Sequence, residues 1–409
     1  MALTKRLPGR PCRVMLLTSS LEHGGAEQQV VELVRALDPA RFQPLVCSLS
    51  PEVPLAEGLP DPARQLAVVP KRWRFDVTTV PRVALVMREE HVDLVHSFLF
   101  DADLVARIAA RRAGVPVVVA SERNSDYRRP LLQKVLLTLT RGMVDALIAN
   151  SDAGRRFAIR TLGMAEGDVY VVHNGVDVDR FRPREQDEAR RGLDLPAGIP
   201  IVGMVASFKP QKNHFLFLDV ARRVLARIPQ AVFVCAGEPL SGAGTGALSL
   251  RPGTGAHRNV DEYHRRVVQT IKDYGLEARC RLLGRVDSVQ RVYNACDLTL
   301  LTSRHEGTPN VLLESMASGV PVLATAVADN AEIVPEGRVG HVFSTEDAAG
   351  MADRTCALLA DTGGRLAMGR AARGWVEREF STTALAAKTG TIYEALLQRK
   401  RDGDAARTR

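Results

Sequence analysis

Short apolar runs alternate with amphipathic segments along most of the chain. Residues 13–17, 45–49 and 115–120 are nearly continuous apolar runs of strand length, and residues 27–37 carry apolar side chains at the spacing of one helix face. Such runs predict strands buried on both faces and helices that cover them. Comparable strands are predicted at 92–96, 146–149, 169–172, 201–206, 231–236, 280–283, 298–301 and 320–324. The predicted fold class is therefore α/β with parallel sheets.

This alternation is interrupted and then restarts after Arg180. Residues 181–200 hold three prolines and many charges, so we predict a domain linker there. Because 409 residues exceed what one hydrophobic core organises, we expect two doubly wound, Rossmann-like domains facing each other across a cleft. The expected bounds are 1–183 for the N-terminal domain, 184–376 for the C-terminal domain, and 377–409 for a helix that packs back on the N-terminal domain.

Two further segments have patterns of their own. Residues 241–259 are rich in Gly, Ser and Thr and lack hydrophobic periodicity, which predicts a loop. The tail is predicted to be helical from Asp347 to near Arg399, with residues 401–409 frayed.

Composition places the chain among ordinary globular proteins. It is 45% hydrophobic and 25% charged, with a net charge of +8 spread over its whole length. The six cysteines have no zinc-ligand spacing and several lie in apolar runs, as expected in a reducing compartment. No apolar run approaches the ~20 residues of a spanning helix, and we expect no signal peptide. The expected location is cytoplasmic, with no nucleic-acid partner.

Residues 304–323 combine a charged loop with an apolar helix. Thr308 can cap the helix and Pro309 suits its first position, and the backbone N–H groups at such an end favour phosphate oxygens. Glu306 lies just before this end. Glu314 lies among apolar residues, where a carboxylate needs a hydrogen-bonding partner, and vicinal ribose hydroxyls would supply two donors. A surface glutamate on a half-buried helix is the alternative.

Two shorter motifs also follow predicted strands. Lys209 and Lys212 lie on the turn 207–213, where lysines can meet a pyrophosphate as point charges or form an ordinary exposed basic turn. Gly24 and Gly25 follow the first strand, and paired glycines let the backbone approach a ligand, although they are also common in loops. No GxGxxG fingerprint follows a predicted strand, which argues against a nicotinamide-dependent dehydrogenase.

In this order, the motifs resemble those of the retaining nucleotide-sugar glycosyltransferases of family four, which have a GT-B fold. The resemblance covers nearly the whole chain. The segments that carry it are Gly24–Glu27, His173–Asp177, Pro210–Asn213, and the pair Glu306 and Glu314 with seven residues between them.

The resemblance implies roles for individual residues. Lys212 would bind the donor pyrophosphate, Glu306 would act as the catalytic residue by holding hydroxyls of the transferred sugar near the anomeric carbon, and Glu314 would hold the ribose. The implied donor-binding set is Gly24, Gly25, Lys209, Lys212, Arg285, Val286, Gly307, Thr308, Pro309, Asn310, Val311 and Glu314. The family retains the anomeric configuration, requires no metal or other cofactor, and uses the leaving phosphate to help take the acceptor's proton.

Two departures from the family pattern stand out. Ser207 occupies the place where an arginine often precedes the phosphate-binding turn, and Lys209 is the candidate substitute. A catalytic-site histidine is also absent after the strand 115–120, where residues 121–124 read SERN. His96, at the end of an earlier strand, is the candidate replacement, although a lone histidine at a strand end is more often structural.

The predicted function is transfer of a sugar from a nucleotide-diphosphate sugar to an acceptor, as in polysaccharide or glycolipid biosynthesis. The acceptor can be a glycan, a lipid-linked molecule or a small molecule. Two alternatives stay open: a sugar-nucleotide epimerase of the same fold, and a non-catalytic sugar-nucleotide-binding partner subunit.

A basic segment raises the further hypothesis of membrane attachment. Residues 123–160 contain eight basic and three acidic residues and include a leucine-rich predicted helix. Basic residues that flank an apolar helix can attach a protein to an anionic leaflet. The hypothesis is weak peripheral contact with the inner face of the membrane; the alternative is that these leucines are core and the arginines merely solvated.

Overall fold

The computed structural model describes residues 10–73, 76–123, 129–238 and 255–407. These residues form two compact units. The first comprises the chain up to Gly175 and from Thr382 onward, and the second extends from Val176 to Ser381.

Strands and helices alternate in both units. In chain order the strands are β1 (Cys12–Thr18), β2 (Phe42–Ser48), β3 (Leu66–Val68), β4 (Leu94–Phe98), β5 (Val117–Glu122), β6 (Ala146–Ala149), β7 (Val169–Val171), β8 (Ile201–Val205), β9 (Val232–Ala236), β10 (Cys280–Gly284), β11 (Leu298–Leu301), β12 (Val322–Thr325) and β13 (Gly340–Phe343). The helices are α1 (Gly25–Ala36), α2 (Pro62–Gln65), α3 (Thr79–Glu89), α4 (Phe100–Ala113), α5 (Leu131–Leu139), α6 (Asp152–Leu162), α7 (Gln186–Arg191), α8 (His214–Leu225), α9 (Gly255–Asp273), α10 (Val289–Ala295), α11 (Asn310–Ala317), α12 (Asn330–Ile333), α13 (Ala348–Ala360), α14 (Thr362–Glu379) and α15 (Thr382–Arg407).

The first unit is built on a seven-stranded sheet in the order β3-β2-β1-β4-β5-β6-β7, with every neighbouring pair parallel. Val14 and Leu16 of β1 pack in a cluster with residues of α1 and α15, whereas Met15 and Leu17 pack with residues of α3 and α4. Alternate side chains of one strand therefore enter two cores, and this explains why the strand is a continuous apolar run.

The second unit repeats this design with six parallel strands in the order β10-β9-β8-β11-β12-β13. Val202 and Met204 of β8 pack with residues of α8 and α13, and Ile201 packs with residues of α7 and α10. Both sheets are thus covered on two faces, and the prediction of two Rossmann-like, doubly wound parallel sheets is confirmed.

The boundary between the units differs from the expected position at 183. The first unit ends at Gly175, and the N–H of Val176 already donates to the carbonyl of Phe380 at 2.8 Å within the second unit. On the C-terminal side, the chain rejoins the first unit at Thr382 rather than at 377, because Phe380 still packs in the core of the second unit. From Thr382 onward, α15 contributes to the core of the first unit.

The predicted linker at 181–200 was wrong. Phe181 packs edge-to-face against Tyr293, with ring centroids 6.0 Å apart. Arg190, in α7, is 3% exposed and bonds Asp297 at 3.0 Å. Both contacts lie within the second unit. The segment therefore packs on the core of that unit and does not separate two domains.

The bounds of two other segments also differ from the prediction. Helix α9 begins at Gly255, so the last residues of the predicted loop are helical, while 239–254 lie outside the described residues. The spacing of Tyr263, Val267 and Ile271, which all pack in one core cluster, explains this helix. The tail is three helices, and the last continues to Arg407 rather than ending near 399.

The two short strands β3 and β13 were not predicted. Each lies at an edge of its sheet and has only three or four residues, too few to show a periodic pattern. Within the described part of the chain, no helix combines the length and the apolar character needed to cross a bilayer.

Candidate active site

The turn after β8 is anchored by aromatic side chains. Residues 210–212 form a 3-10 turn, and α8 begins at His214. The His214 ring stacks on Phe208 with centroids 4.5 Å apart, and its backbone N–H donates to the hydroxyl of Tyr263 at 2.9 Å. Burial, and then the charge of Lys212, lowers the pKa of His214 to about 4, so this ring is neutral near pH 7.

An ion pair joins this turn to the loop after β11. Lys212 Nζ lies 2.6 Å from Oε1 of Glu306, and the hydroxyl of Ser303 donates to the same oxygen at 2.6 Å. The lysine and glutamate side chains are only 19% and 9% exposed. The structure therefore brings together two residues, 94 positions apart, that the sequence assigned to the pyrophosphate and to the sugar.

Further hydrogen bonds fix the same two segments. Thr302 Oγ1 donates to the carbonyl of Lys212 at 3.0 Å, and Gln211 Nε2 donates to the carbonyl of His305 at 2.8 Å. The backbone N–H of Arg304 donates to the carbonyl of Gln211 at 2.8 Å. Because β8 and β11 are adjacent parallel strands, the segments that follow them meet at the carboxyl edge of one sheet, where such sheets bind ligands.

Helix α11 begins at Asn310, with Pro309 at the N-cap position, one residue later than predicted. Thr308 therefore precedes the cap instead of forming it. Gly307, Thr308 and Pro309 are buried, whereas Asn310 and Val311 are partly exposed at the start of the helix. The positive end of the helix dipole there favours an anion.

The other end of α11 is held by specific contacts. The hydroxyls of Thr299 and Ser315 lie 2.7 Å apart, which ties the helix to β11. Arg373 Nη1 donates to the carbonyl of Ala317 in the last turn at 2.6 Å. Gly319 follows at φ 74°, a left-handed conformation that glycine adopts without strain. The helix is therefore rigidly placed on the sheet.

Glu314 has the hydrogen-bonding partner that its apolar setting requires. Its Oε2 accepts a hydrogen bond of 2.7 Å from the hydroxyl of Tyr293, which is 1% exposed. Burial, together with the negative charge of Glu314, holds the pKa of Tyr293 well above its usual value, so the phenol keeps its proton and donates. Sequence reasoning missed Tyr293, because nothing in its own helix indicates which carboxylate it faces.

The remaining residues expected at the donor lie in loops after strands. Arg285 and Val286 follow β10, and Arg285 is exposed, with its Nε 3.8 Å from a carboxylate oxygen of Asp287. Lys209 is half-buried before the 3-10 turn. Sequence reasoning did not single out Gly237, after β9, where a Cβ atom would lie 2.0 Å from the carbonyl oxygen of Ala206, so any side chain would displace the turn.

Gly24 and Gly25 lie in the first unit. Gly24 is the N-cap of α1 and Gly25 its first residue, so the paired glycines do open a helix. The carboxylate of Glu27 folds back over Gly24, where an added Cβ would lie 2.1 Å from Glu27 Oε2. Glu27 is 8% exposed, and its Oε1 lies 3.4 Å from the hydroxyl of Ser20.

His96, also in the first unit, is enclosed by protein. Its Nδ1 lies 2.6 Å from the hydroxyl of Tyr393 and its Nε2 lies 2.7 Å from that of Ser121. The residue is 1% exposed, and burial, with a smaller effect of the Arg123 charge, holds its pKa well below the usual value. Because both ring nitrogens are engaged, this geometry favours a structural role over the catalytic one suggested by the sequence.

Comparison with known proteins agrees with this arrangement. The family described as "Glycosyltransferase Family 4" matches residues 23–180, and "Glycosyl transferases group 1" matches residues 185–375. The structure of Anabaena Alr3699/HepE in complex with UDP superimposes with a TM-score of 0.79 over 94% of this chain and 100% of that one, at 20% identity.

Two relatives match this chain at higher sequence identity. The D-inositol 3-phosphate glycosyltransferase of Mycobacterium bovis is 30% identical, over 79% of this chain and 67% of that protein. The UDP-Gal:alpha-D-GlcNAc-diphosphoundecaprenol alpha-1,3-galactosyltransferase of Escherichia coli is 27% identical, over 74% of this chain and 76% of that protein. The chain is a glycosyltransferase that uses a nucleotide-sugar donor, and it belongs to glycosyltransferase family 4, with the GT-B fold.

Proposed function

We propose that the second unit binds a nucleotide-diphosphate sugar at the carboxyl edge of its sheet and that the enzyme transfers the sugar with retention of its anomeric configuration. The observation that carries this proposal is the Lys212–Glu306 pair beside the start of α11. A cation and a helix N-terminus can bind a diphosphate, and a carboxylate can accept hydrogen bonds from sugar hydroxyls.

The two charged residues have complementary tasks. Lys212 neutralises charge on the departing diphosphate, with Lys209 beside it, and the backbone of residues 307–311 meets the phosphates. Glu306 accepts hydrogen bonds from hydroxyls of the transferred sugar. Such groups act by positioning and by stabilising charge that develops in the transition state.

In the proposed reaction the acceptor oxygen approaches on the face that the diphosphate leaves. The bond between the anomeric carbon and the phosphate oxygen breaks, and the bond to the acceptor oxygen forms. The acceptor's proton passes to the departing phosphate oxygen, so no protein base is needed. We propose no metal requirement, since the lysines supply the positive charge.

Glu314 is proposed to hold the ribose and the loop of Arg285 and Val286 to lie near the base. Tyr293 fixes one carboxylate oxygen of Glu314 and so orients the other. UDP-sugars are the first donors to test, because the Anabaena protein binds UDP.

Thermal stabilisation by a panel of nucleoside diphosphates and their sugars tests the donor assignment, because a ligand that binds the folded protein raises its melting temperature. We expect one nucleoside diphosphate to stabilise the wild type and to fail with Lys212→Met. Stabilisation of that variant equal to the wild type would place the donor elsewhere.

We also propose that α5 attaches the first unit to an anionic membrane. Four side chains on this helix are 44% to 77% exposed: Leu131, Leu132, Val135 and Leu139. Because these four are exposed, the alternative that all the apolar residues of this helix are core is wrong, although Leu137, at 2% exposure, does belong to the core. Lys134 lies on the same helix and the exposed Arg141 follows it, while Arg128 lies outside the described residues. An apolar face with basic neighbours suits anionic lipid.

A further inference from the structure

A cluster of side chains in the first unit lies where four adjacent strands end. Phe98 is the last residue of β4, Arg123 follows β5, and Asn150 follows β6. Asn174 lies three residues beyond β7. Because these strands are parallel neighbours, their carboxyl ends form one edge of the sheet, which is the ligand-binding edge in this class of fold.

Arg123 is the cation at the centre of this cluster. Its Nη1 donates to Oδ1 of Asn174 at 2.9 Å, and its guanidinium carbon lies 4.9 Å from the centre of the Phe98 ring. Asn150 Nδ2 donates to the Arg123 carbonyl at 3.3 Å. Burial lowers the pKa of Arg123 to about 10, so the side chain still carries its charge at neutral pH.

Charge balance distinguishes Arg123, which is partly buried, from the fully buried arginines of the described chain. Arg107 bonds both carboxylate oxygens of Asp103, at 2.7 and 3.0 Å, and Arg190 bonds Asp297 at 3.0 Å. Among the described residues, Arg123 has no carboxylate within ion-pair distance. The neighbouring carboxylate of Glu122 bonds Arg129 instead, at 2.8 Å.

Arg123 also has a hydrogen-bond donor that no described residue accepts from. Its Nε is enclosed and has no hydrogen-bond partner in the described part of the chain. A partly desolvated cation with an unused donor is stabilised when an anion binds it. The guanidinium lies over the Phe98 ring, and its planar set of N–H donors is the group that binds phosphate in bidentate fashion.

We infer that Arg123 binds a phosphoryl group of the acceptor. The inference rests on the proposed function. It adds the chemical class of the acceptor, which the donor site does not specify. The donor residues Lys212, Glu306 and Glu314 all belong to the second unit, whereas the whole Arg123 cluster belongs to the first. The names of the Mycobacterium and Escherichia relatives each include a phosphorylated acceptor, an inositol phosphate and a diphosphate-linked lipid.

Inorganic phosphate is the probe for the test. The protein is saturated with the nucleoside diphosphate that stabilises it, so that the donor site is filled, and its melting temperature is followed as phosphate replaces chloride at constant ionic strength. We expect a saturable rise in melting temperature for the wild type and for the control Arg111→Gln, which removes an exposed arginine of the same unit. The rise should be lost in Arg123→Gln.

A second variant, Arg123→Lys, provides the test if Arg123→Gln fails to fold. Arg123→Lys keeps the charge but loses the planar fork, and should need about tenfold more phosphate for half the effect. Both variants should keep the wild-type response to the nucleoside diphosphate. A phosphate response that is absent in the wild type, or unchanged in both variants, overturns the inference while leaving the proposed function intact. Loss of the nucleoside diphosphate response in these variants would assign Arg123 to the donor and would equally overturn it.

Discussion

Lys212 Nζ and Glu306 Oε1 lie 2.6 Å apart, in a pair that Ser303 completes with a second short hydrogen bond to the same oxygen. Each charge is the partner of the other in this structure, and each is proposed to contact a different part of the donor. A donor that takes the lysine for its diphosphate and the glutamate for its sugar replaces one ion pair by two sets of contacts. The ion pair therefore compensates these two largely buried charges when no donor is bound.

Replacing the lysine should weaken nucleotide binding. In Lys212→Met the diphosphate loses a charge-assisted hydrogen bond worth ~1.5–3 kcal/mol, which corresponds to about a ten- to 150-fold increase in Kd. Titration calorimetry with the nucleoside diphosphate measures this. The control is Lys272→Met, which removes an exposed lysine of α9. Equal Kd values for Lys212→Met and the wild type would remove Lys212 from the site.

The ribose contact can be isolated by matching a protein change with a ligand change. Wild-type protein should bind a nucleoside diphosphate without the 2′ and 3′ hydroxyls about tenfold more weakly than the parent compound, because Glu314 loses two donors. Glu314→Ala should bind the two compounds alike. Tyr293→Phe should show an intermediate difference, because the carboxylate is present but no longer oriented. A full difference in Glu314→Ala would show that another group holds the ribose.

The first unit should lose stability as pH rises from about 4.5 to 7. Burial, then a hydrogen bond that the protonated Glu22 carboxyl donates to Glu52 and the charges of Glu52 and Glu27, raises the pKa of Glu22 from 4.5 to about 7. The folded state thus binds more protons than the unfolded state in this window, and its unfolding free energy falls as Glu22 ionises. Glu22→Gln should flatten the dependence measured by urea denaturation, whereas Glu57→Gln, at an exposed site, should not. An unchanged slope in Glu22→Gln would contradict this.

Sedimentation with anionic vesicles tests the role of α5. The wild type should bind at low salt and dissociate as salt screens the basic residues, each worth roughly 1 kcal/mol near the surface. Replacing Leu131, Leu132 and Leu139 with serine should abolish binding, and Lys134→Glu with Arg141→Glu should weaken it. Leu366→Ser, which changes a 55% exposed leucine of the second unit, is the control. Binding that ignores salt, or that survives the serine changes, would refute the attachment.

The sheets and the donor loop could be predicted because their signals are local. Apolar runs such as residues 115–120 identify strands buried on two faces, and the placement of Glu306 before an apolar helix identifies a loop at a strand end. Edge strands such as β3 are too short to show a period. The charges of 181–200 resemble a linker, since nothing local shows that Arg190 is paired with Asp297 across 107 positions.

The partners of the site residues could not be predicted for the same reason. Glu314 clearly needed a hydrogen-bond donor, but that Tyr293 supplies it depends on how α10 and α11 pack. Likewise, His96 is the last residue of the predicted strand 92–96, but the structure places it in the middle of β4, with Tyr393 and Ser121 beside its two ring nitrogens. Long-range pairing decides whether a polar residue at a strand end is available for chemistry.

Turnover of Glu306→Gln tests the central claim most directly. The substitution keeps the size of the side chain and removes the charge that is proposed to hold the sugar beside the breaking bond. Release of the nucleoside diphosphate from nucleotide sugars, with and without acceptor, gives the rate, and NMR of the product gives its anomeric configuration. We predict a retained configuration and a kcat about ten- to 150-fold below the wild type in Glu306→Gln, with donor affinity changed far less. The control Glu277→Gln, at an exposed site of the same unit, should be fully active. Normal turnover in Glu306→Gln, or an inverted product from the wild type, would contradict the account.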